Sequence, residues 1–141
     1  MNEKNKRRAV VVWGYKNSGK TTTLKHLVNR TKRLLNKYYM IKNIEGDIVN
    51  VFIKGNSPSE TNCKLGQMFD KSNLPKRLIV AEQINGRHSA DTITFLKKNR
   101  YQVTFFVIQK PKQYNSTHWD FADNLSEKDL DKRAEDIKAV L

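Results

Sequence analysis

Three features of this 141-residue chain predict an α/β domain with a mostly parallel, five-stranded sheet and helices on both faces. Apolar runs of strand length recur at 10–13, 78–81 and 103–108, as expected for strands buried on both faces. Helical periodicity fills the intervals, giving the order β-α-β-β-α-β-α-β-α. A glycine-bounded loop joins the first apolar run directly to the first helical pattern. The length suits one domain, residues 1–141.

After a short charged lead-in, the first strand covers residues 9–13. It runs into Gly14-Tyr15-Lys16-Asn17-Ser18-Gly19-Lys20-Thr21, which meets G-x-x-x-x-G-K-[ST] without departure. Gly14 and Gly19 admit backbone conformations closed to other residues, so successive N–H groups can turn inward around an anion. Lys20 adds a point charge suited to β and γ phosphates, and Thr21 a hydroxyl suited to Mg²⁺. The helix behind them adds the positive end of its dipole. That helix is expected over 19–36, where Leu24, Leu27, Val28, Thr31, Leu34 and Leu35 recur at spacings of three and four.

Two β-rich runs follow, 38–44 and 48–53, separated by Glu45-Gly46-Asp47 and therefore a hairpin. Ser57, Pro58 and Glu60 suit the start of a helix that carries Leu65, Met68 and Phe69 and ends before Pro75. Residues 77–81, RLIVA, form a buried strand that terminates at Glu82. Gln83-Ile84-Asn85-Gly86-Arg87-His88 is a loop, and Ser89 caps a helix bearing Ile93, Phe95 and Leu96. The fifth strand spans 102–108, and a polar, aromatic-sprinkled loop fills 110–124. In the last helix Ser126 and Asp129 have capping-box spacing, and Leu125 can staple to Leu130. Leu130, Ala134, Ile137 and Leu141 make its apolar stripe.

On G-Y-K-N-S-G-K-T and its strand-loop-helix setting, the chain resembles the P-loop NTPase superfamily, most strongly over residues 10–28. The loop is also similar to that of the small nucleotide-binding adaptors of molybdenum-cofactor synthesis, whose other signatures are missing. Partitioning ATPases carry lysine at the second loop position, which is Tyr15 here. The resemblance implies a three-layer P-loop NTPase fold. It also implies ATP or another nucleoside triphosphate held by Gly14, Tyr15, Lys16, Asn17, Ser18, Gly19, Lys20, Thr21 and Thr22. Mg²⁺ would sit between Thr21 and an acid at the end of a neighbouring apolar strand.

Two strand ends can supply that acid. The run 48–53 leads into Lys54-Gly55-Asn56 and has no carboxylate, whereas 78–81 ends in Glu82. Superfamily members more often carry Asp there. Arg87 follows a glycine in a loop that resembles those of nucleoside and nucleotide kinases, where an arginine meets the acceptor's anionic groups. It joins Lys20 and Glu82 as a candidate catalytic residue. His88, beside a capping serine, reads as structural. The guanine-reading Asn-Lys-x-Asp pattern does not occur. In resembling kinases the base lies on the loop after the last core strand, here with Gln109, Lys110, Tyr114 and Trp119, and Lys110 and Lys112 could also form a phosphate lid.

The net charge of +13 is unevenly spread. The first 119 residues hold 23 bases against seven acids, and the remainder seven acids against four bases. Such a field favours polyanions. Lys4, Lys6, Arg7, Arg8, Arg30, Lys32, Arg33 and Lys37 exceed what one phosphate loop uses. No nucleic-acid-reading motif accompanies them, so any such binding is expected to be weak and sequence-independent. No apolar run reaches membrane-spanning length. The basic N-terminus leads into a strand rather than a signal-peptide core. Cys63 is the single cysteine, which suits a reduced, cytoplasmic setting.

Two functions stay open, besides mere nucleotide binding. One is a small kinase-like phosphotransferase with ATP at the loop and an acceptor near Arg87. The other is a regulatory protein that binds or hydrolyses NTP, acting on nucleic acid through a basic face. The sequence marks neither acceptor, base nor oligomeric state.

Overall fold

The computed structural model describes residues 6–14, 19–30, 34, 36–55, 64–84, 86–109, 118–120 and 126–141. At its centre is β1 (Arg8–Gly14), whose RAVVVWG run is buried from end to end apart from Arg8 and Trp13. It pairs in parallel with β4 (Arg77–Gln83) on one side and β5 (Gln102–Gln109) on the other. β3 (Ile48–Lys54) extends the sheet beyond β4, and β6 (His118–Asp120) beyond β5, both parallel. β2 (Lys37–Lys42) closes one edge, antiparallel to β3, so the full order is β2-β3-β4-β1-β5-β6. The α/β class and the mostly parallel sheet follow the sequence expectation, with β6 added from a stretch read as loop.

Side-chain alternation along the strands divides the core in two. Val10, Val12, Val51, Ile53, Ile79 and Ala81 face α1 (Lys20–Leu27) and α3 (Glu127–Lys138), where they meet Leu24, Leu27, Ala134 and Ile137. Ala9, Val11, Leu78 and Val80 face α2 (Ser89–Lys98) and meet Leu65 and Leu96. Phe52, Phe69 and Phe95 extend that second cluster, with ring centroids 4.9 Å apart for the first pair and 6.2 Å for the second. Helices therefore cover both faces.

Local chemistry fixes several joints. In the β2–β3 turn, Asn43 Oδ1 accepts from the N–H groups of Glu45 (3.1 Å) and Asp47 (2.9 Å). Gly46 takes φ 93° there, a conformation that disfavours any side chain. Ser126 and Asp129 form the expected capping box at the start of α3, with Asp129 N donating to Ser126 Oγ at 3.1 Å. Leu125 lies outside the described residues.

Three expectations are corrected. α1 ends at Leu27, not Asn36: Asn29 takes φ 53°, and its N–H and that of Arg30 bond back to His26 O and Lys25 O. That is a Schellman ending, in which a left-handed residue stops the helix whatever the apolar spacing beyond it. Leu34 still reaches the α1-side core, close against Gly55, where an added Cβ would lie 2.5 Å from Leu34 Cδ2. The helix expected after Pro58 begins outside the described residues, and Leu65–Gln67 forms only a single 3-10 turn. Ser89 does not cap α2; its hydroxyl donates to Gln83 O at 2.5 Å, and His88 occupies the cap position.

This topology marks out one rim. β1 feeds α1 on one face, while its neighbour β4 feeds α2 on the other. Where adjacent strand ends send the chain to opposite faces, open α/β sheets form their ligand crevice. Here that point lies beyond Gly14 and Gln83, which are register partners.

Candidate functional site

Gly19 caps α1 with φ 91°, in the left-handed region, so the second glycine of the motif occupies a backbone state a side chain would strain. Lys20 is the first helical residue and only 5% exposed. Its Nζ donates to Gly14 O at 3.2 Å. Thr21 donates its hydroxyl to Gly55 O at 3.2 Å, tying the helix start to the end of β3. Thr22 is exposed. Tyr15, Lys16, Asn17 and Ser18 lie outside the described residues.

A buried polar chain supports this helix start from behind. Thr23 Oγ1 donates to Gly19 O at 2.8 Å and accepts from Arg133 Nη1 at 3.0 Å. Arg133 comes from α3, is 3% exposed, and stacks over the Trp119 ring at 5.2 Å from its centroid. Trp119 lies flat on Phe106 at 4.8 Å, and its Nε1 donates to Asp136 Oδ2 at 2.9 Å. Sequence reading placed Trp119 in a base-binding loop and gave Arg133 no part. The capping box and apolar stripe made α3 legible as a packing helix, but one arginine at an inward position gave no signal of its own.

The other expected residues fall as follows. Glu82 lies beside Trp13 of β1 in register, at 0% exposure. Its Oε2 accepts from Thr92 Oγ1 at 2.7 Å and its Oε1 from its neighbour's amide, Gln83 N, at 2.8 Å. Thr92 lies on the α2 side of the sheet, whereas Thr21 belongs to α1. Arg87 is exposed in the loop between β4 and α2, on the same rim as Lys20. His88 Nδ1 lies 3.4 Å from Asp91 Oδ2, one turn along α2. Asn85, Lys110, Lys112 and Tyr114 lie outside the described residues.

Among the described residues, the bases singled out from the sequence do not gather into one surface. Arg7 donates to Asn99 O at 2.8 Å, and Arg8 and Arg77, register partners at the strand starts, line a cavity of about 460 Å³ with Asp47 and Lys138. Burial, and then Arg8 beside it, draw the Arg77 guanidinium below its ordinary pKa, with Asp47 pulling the other way. This cavity is at the opposite end of β1 from Lys20. Lys37 opens β2 next to the end of β3, with Nζ 5.2 Å from the Tyr39 ring centroid. Lys4, Lys32 and Arg33 are outside the described residues.

An anionic phosphate group fits the Lys20 end. The left-handed Gly19, the helix start and the inward cation are what such a group requires of a chain. For Mg²⁺ the fit is narrower. Thr21 carries a suitable hydroxyl, but Glu82 accepts from Thr92 on the α2 side of the sheet, whereas Thr21 belongs to α1. Among the described residues no group of three or more His, Cys, Asp and Glu side chains stands ready for a metal ion. Nor, among them, is any helix long and apolar enough to cross a membrane.

Comparison with known proteins finds no matching family model, no matching curated protein and no matching solved structure.

Proposed function

We propose that this chain is a P-loop-type domain that binds a nucleoside triphosphate with Mg²⁺ and passes its terminal phosphoryl group to a small acceptor. The observation that carries the reading is Lys20: a buried ammonium on the first turn of α1, over Gly14 O and behind a left-handed Gly19. A cation held at a helix start, at the end of the central strand, suits an anionic group such as a polyphosphate. In this reading the loop from Gly14 to Thr22 holds the phosphates, and Thr21 supplies the hydroxyl for the metal. When bound, the metal and triphosphate supply an electrophilic phosphorus with its charge neutralised. Lys20 stabilises charge on the oxygens around it, and Arg87, exposed on the same rim, meets the acceptor's anionic group. The alternative, a regulatory NTPase acting on nucleic acid, draws on the net charge, but Arg8 and Arg77 lie at the opposite end of the sheet from Lys20 and Arg87.

Thermal unfolding of the full chain with ATP, GTP, ADP and buffer, each with and without Mg²⁺, tests the binding. A ligand at one hundred times its Kd should stabilise by about 2.7 kcal/mol. No nucleotide-dependent shift would end the reading. ADP formation is then followed with nucleoside, nucleotide and small-alcohol acceptors, and with DNA or RNA. Stimulation by a small acceptor supports transfer, whereas phosphate release stimulated by nucleic acid favours the regulatory alternative.

A further inference from the structure

We infer that Gln83, not its neighbour Glu82, is the β4 residue that meets the terminal phosphate, and that Glu82 is the positioning residue that holds it. The inference rests on the nucleotide reading above and names a group within the same site. Alternation along β4 decides the faces. Ile79 and Ala81 belong to the core on the α1 side, so Gln83, two residues on, continues that side. Leu78 and Val80 belong to the α2 side, and Glu82 continues theirs, as its bond to Thr92 of α2 requires. Gln83 is also the register partner of Gly14, whose carbonyl receives the Lys20 ammonium. Of the two polar residues ending β4, the glutamine is therefore the one on the loop's side.

The backbone of Gln83 is held from three directions. Its N–H donates to Glu82 Oε1 at 2.8 Å, and its carbonyl accepts from Ser89 Oγ at 2.5 Å. The following peptide is tied to β1 by Ile84 N donating to Gly14 O at 3.0 Å. The side chains that form this clamp, Glu82, Ser89 and Thr92, are all buried. By contrast the Gln83 carboxamide is half-buried and takes no hydrogen-bond partner among the described residues. A rigid peptide carrying an uncommitted amide at a ligand crevice is a preorganised contact. Its NH₂ can donate to a phosphate oxygen and its C=O can orient a water or an acceptor hydroxyl. Being neutral, it does so without the repulsion that a carboxylate would bring to a polyanion. Glu82 accepts one hydrogen bond on each oxygen, from Gln83 N and Thr92, and acts through Gln83.

The test is titration of the full chain with Mg²⁺ and either ADP or the non-hydrolysable imido analogues of ATP and GTP, with thermal unfolding of each variant as the folding check. Wild type should prefer the triphosphate analogue. Gln83→Ala should leave ADP affinity within about twofold and weaken the triphosphate analogue about tenfold, the scale of one charge-assisted hydrogen bond. Gln83→Glu should weaken it further. Thr92→Val, which removes one donor to Glu82, should shift the same preference in the same direction by less, and Glu82→Gln should leave the Mg²⁺ dependence of binding as in wild type. Three outcomes overturn the inference while the nucleotide reading stands: Gln83→Ala lowering both affinities alike or neither, wild type showing no triphosphate preference, or Glu82→Gln removing the Mg²⁺ dependence. If wild type binds none of these nucleotides, the nucleotide reading itself has failed and this inference with it.

Discussion

Two buried polar systems flank the central strands of this protein, one on each face, and they carry opposite charge. On the α1 side Arg133 donates to Thr23, and Thr23 donates to Gly19 O. On the α2 side Thr92 and the Gln83 amide both donate to the Glu82 carboxylate, while Ser89 donates to Gln83 O. Each system ends on a backbone group at the rim where the loop and β4 meet. A polar group inside a core is costly unless its hydrogen bonds are made, so these contacts belong to the fold's fixed parts. The difference in sign has a consequence. The cations Lys20 and Arg133 share the α1 face, and the Glu82 side chain turns to the α2 face.

The largest break in that contrast is Lys20→Ala. Removing the loop's inward cation should weaken triphosphate binding by a few kcal/mol, roughly a hundredfold, with little change in stability. Calorimetric titration beside a thermal melt checks both halves. Unchanged affinity would mean that the cationic side of the comparison has no ligand meaning.

Arg133→Met comes next and acts on folding. The substitution keeps a long side chain but removes the donor to Thr23 and the cation over Trp119, and should cost about 2–3 kcal/mol in urea unfolding. Nucleotide affinity should also fall, because Thr23 then loses the partner that orients it toward Gly19 O. A stable variant with full affinity would show that the chain behind α1 is passive packing.

On the opposite face, Thr92→Val removes one of the donors to Glu82 and should destabilise by about 1–2 kcal/mol, the scale of a buried acceptor left short of a bond. Chemical denaturation measures it. A neutral effect would mean that water replaces the hydroxyl and that this side is less enclosed than its burial indicates.

The smallest effect is seen only in alkali. Tyr101 packs on the α2 side and donates its hydroxyl to Pro75 O. Burial raises its pKa from 10.0 to about 12. Because the folded state holds the proton longer, this stability is fully present below pH 10 and is lost as pH rises toward about 12. Tyr101→Phe should flatten the alkaline fall in stability without altering the melting temperature's response to acid. An unchanged alkaline slope would assign it to other groups.

How much of this was readable in advance depends on how far each signal reaches along the chain. The strands around Val11, Val80 and Phe106 were legible as apolar runs, although their pairing is long-range, and the hairpin at Gly46 and the Ser126–Asp129 capping box rest on contacts within a few residues. Lys20 at the start of a helix behind Gly19 belongs to the same group. The end of α1 was misjudged although its cause is local. Leu34 keeps a helical spacing because it belongs to the same core, and only the left-handed Asn29 reveals that the chain reaches that core by another route. β6 was not legible, since a three-residue strand has no period to read and exists by pairing with the edge of β5.

The site divides in the same way. Sequence alone determined that a glycine-bounded loop with lysine and threonine stands between a strand and a helix, and that an acid follows a neighbouring apolar run. Tertiary structure decided which way that acid turns. A strand sends successive side chains to opposite faces, so Glu82 and Gln83 differ by one residue in the chain and by the thickness of the sheet in space. Which of them faces Lys20 depends on which face α1 covers, and that is a property of packing. Arg133 makes the point from the other end: at an inward position on α3 it meets Thr23, 110 residues earlier, and no local pattern encodes a contact across that separation.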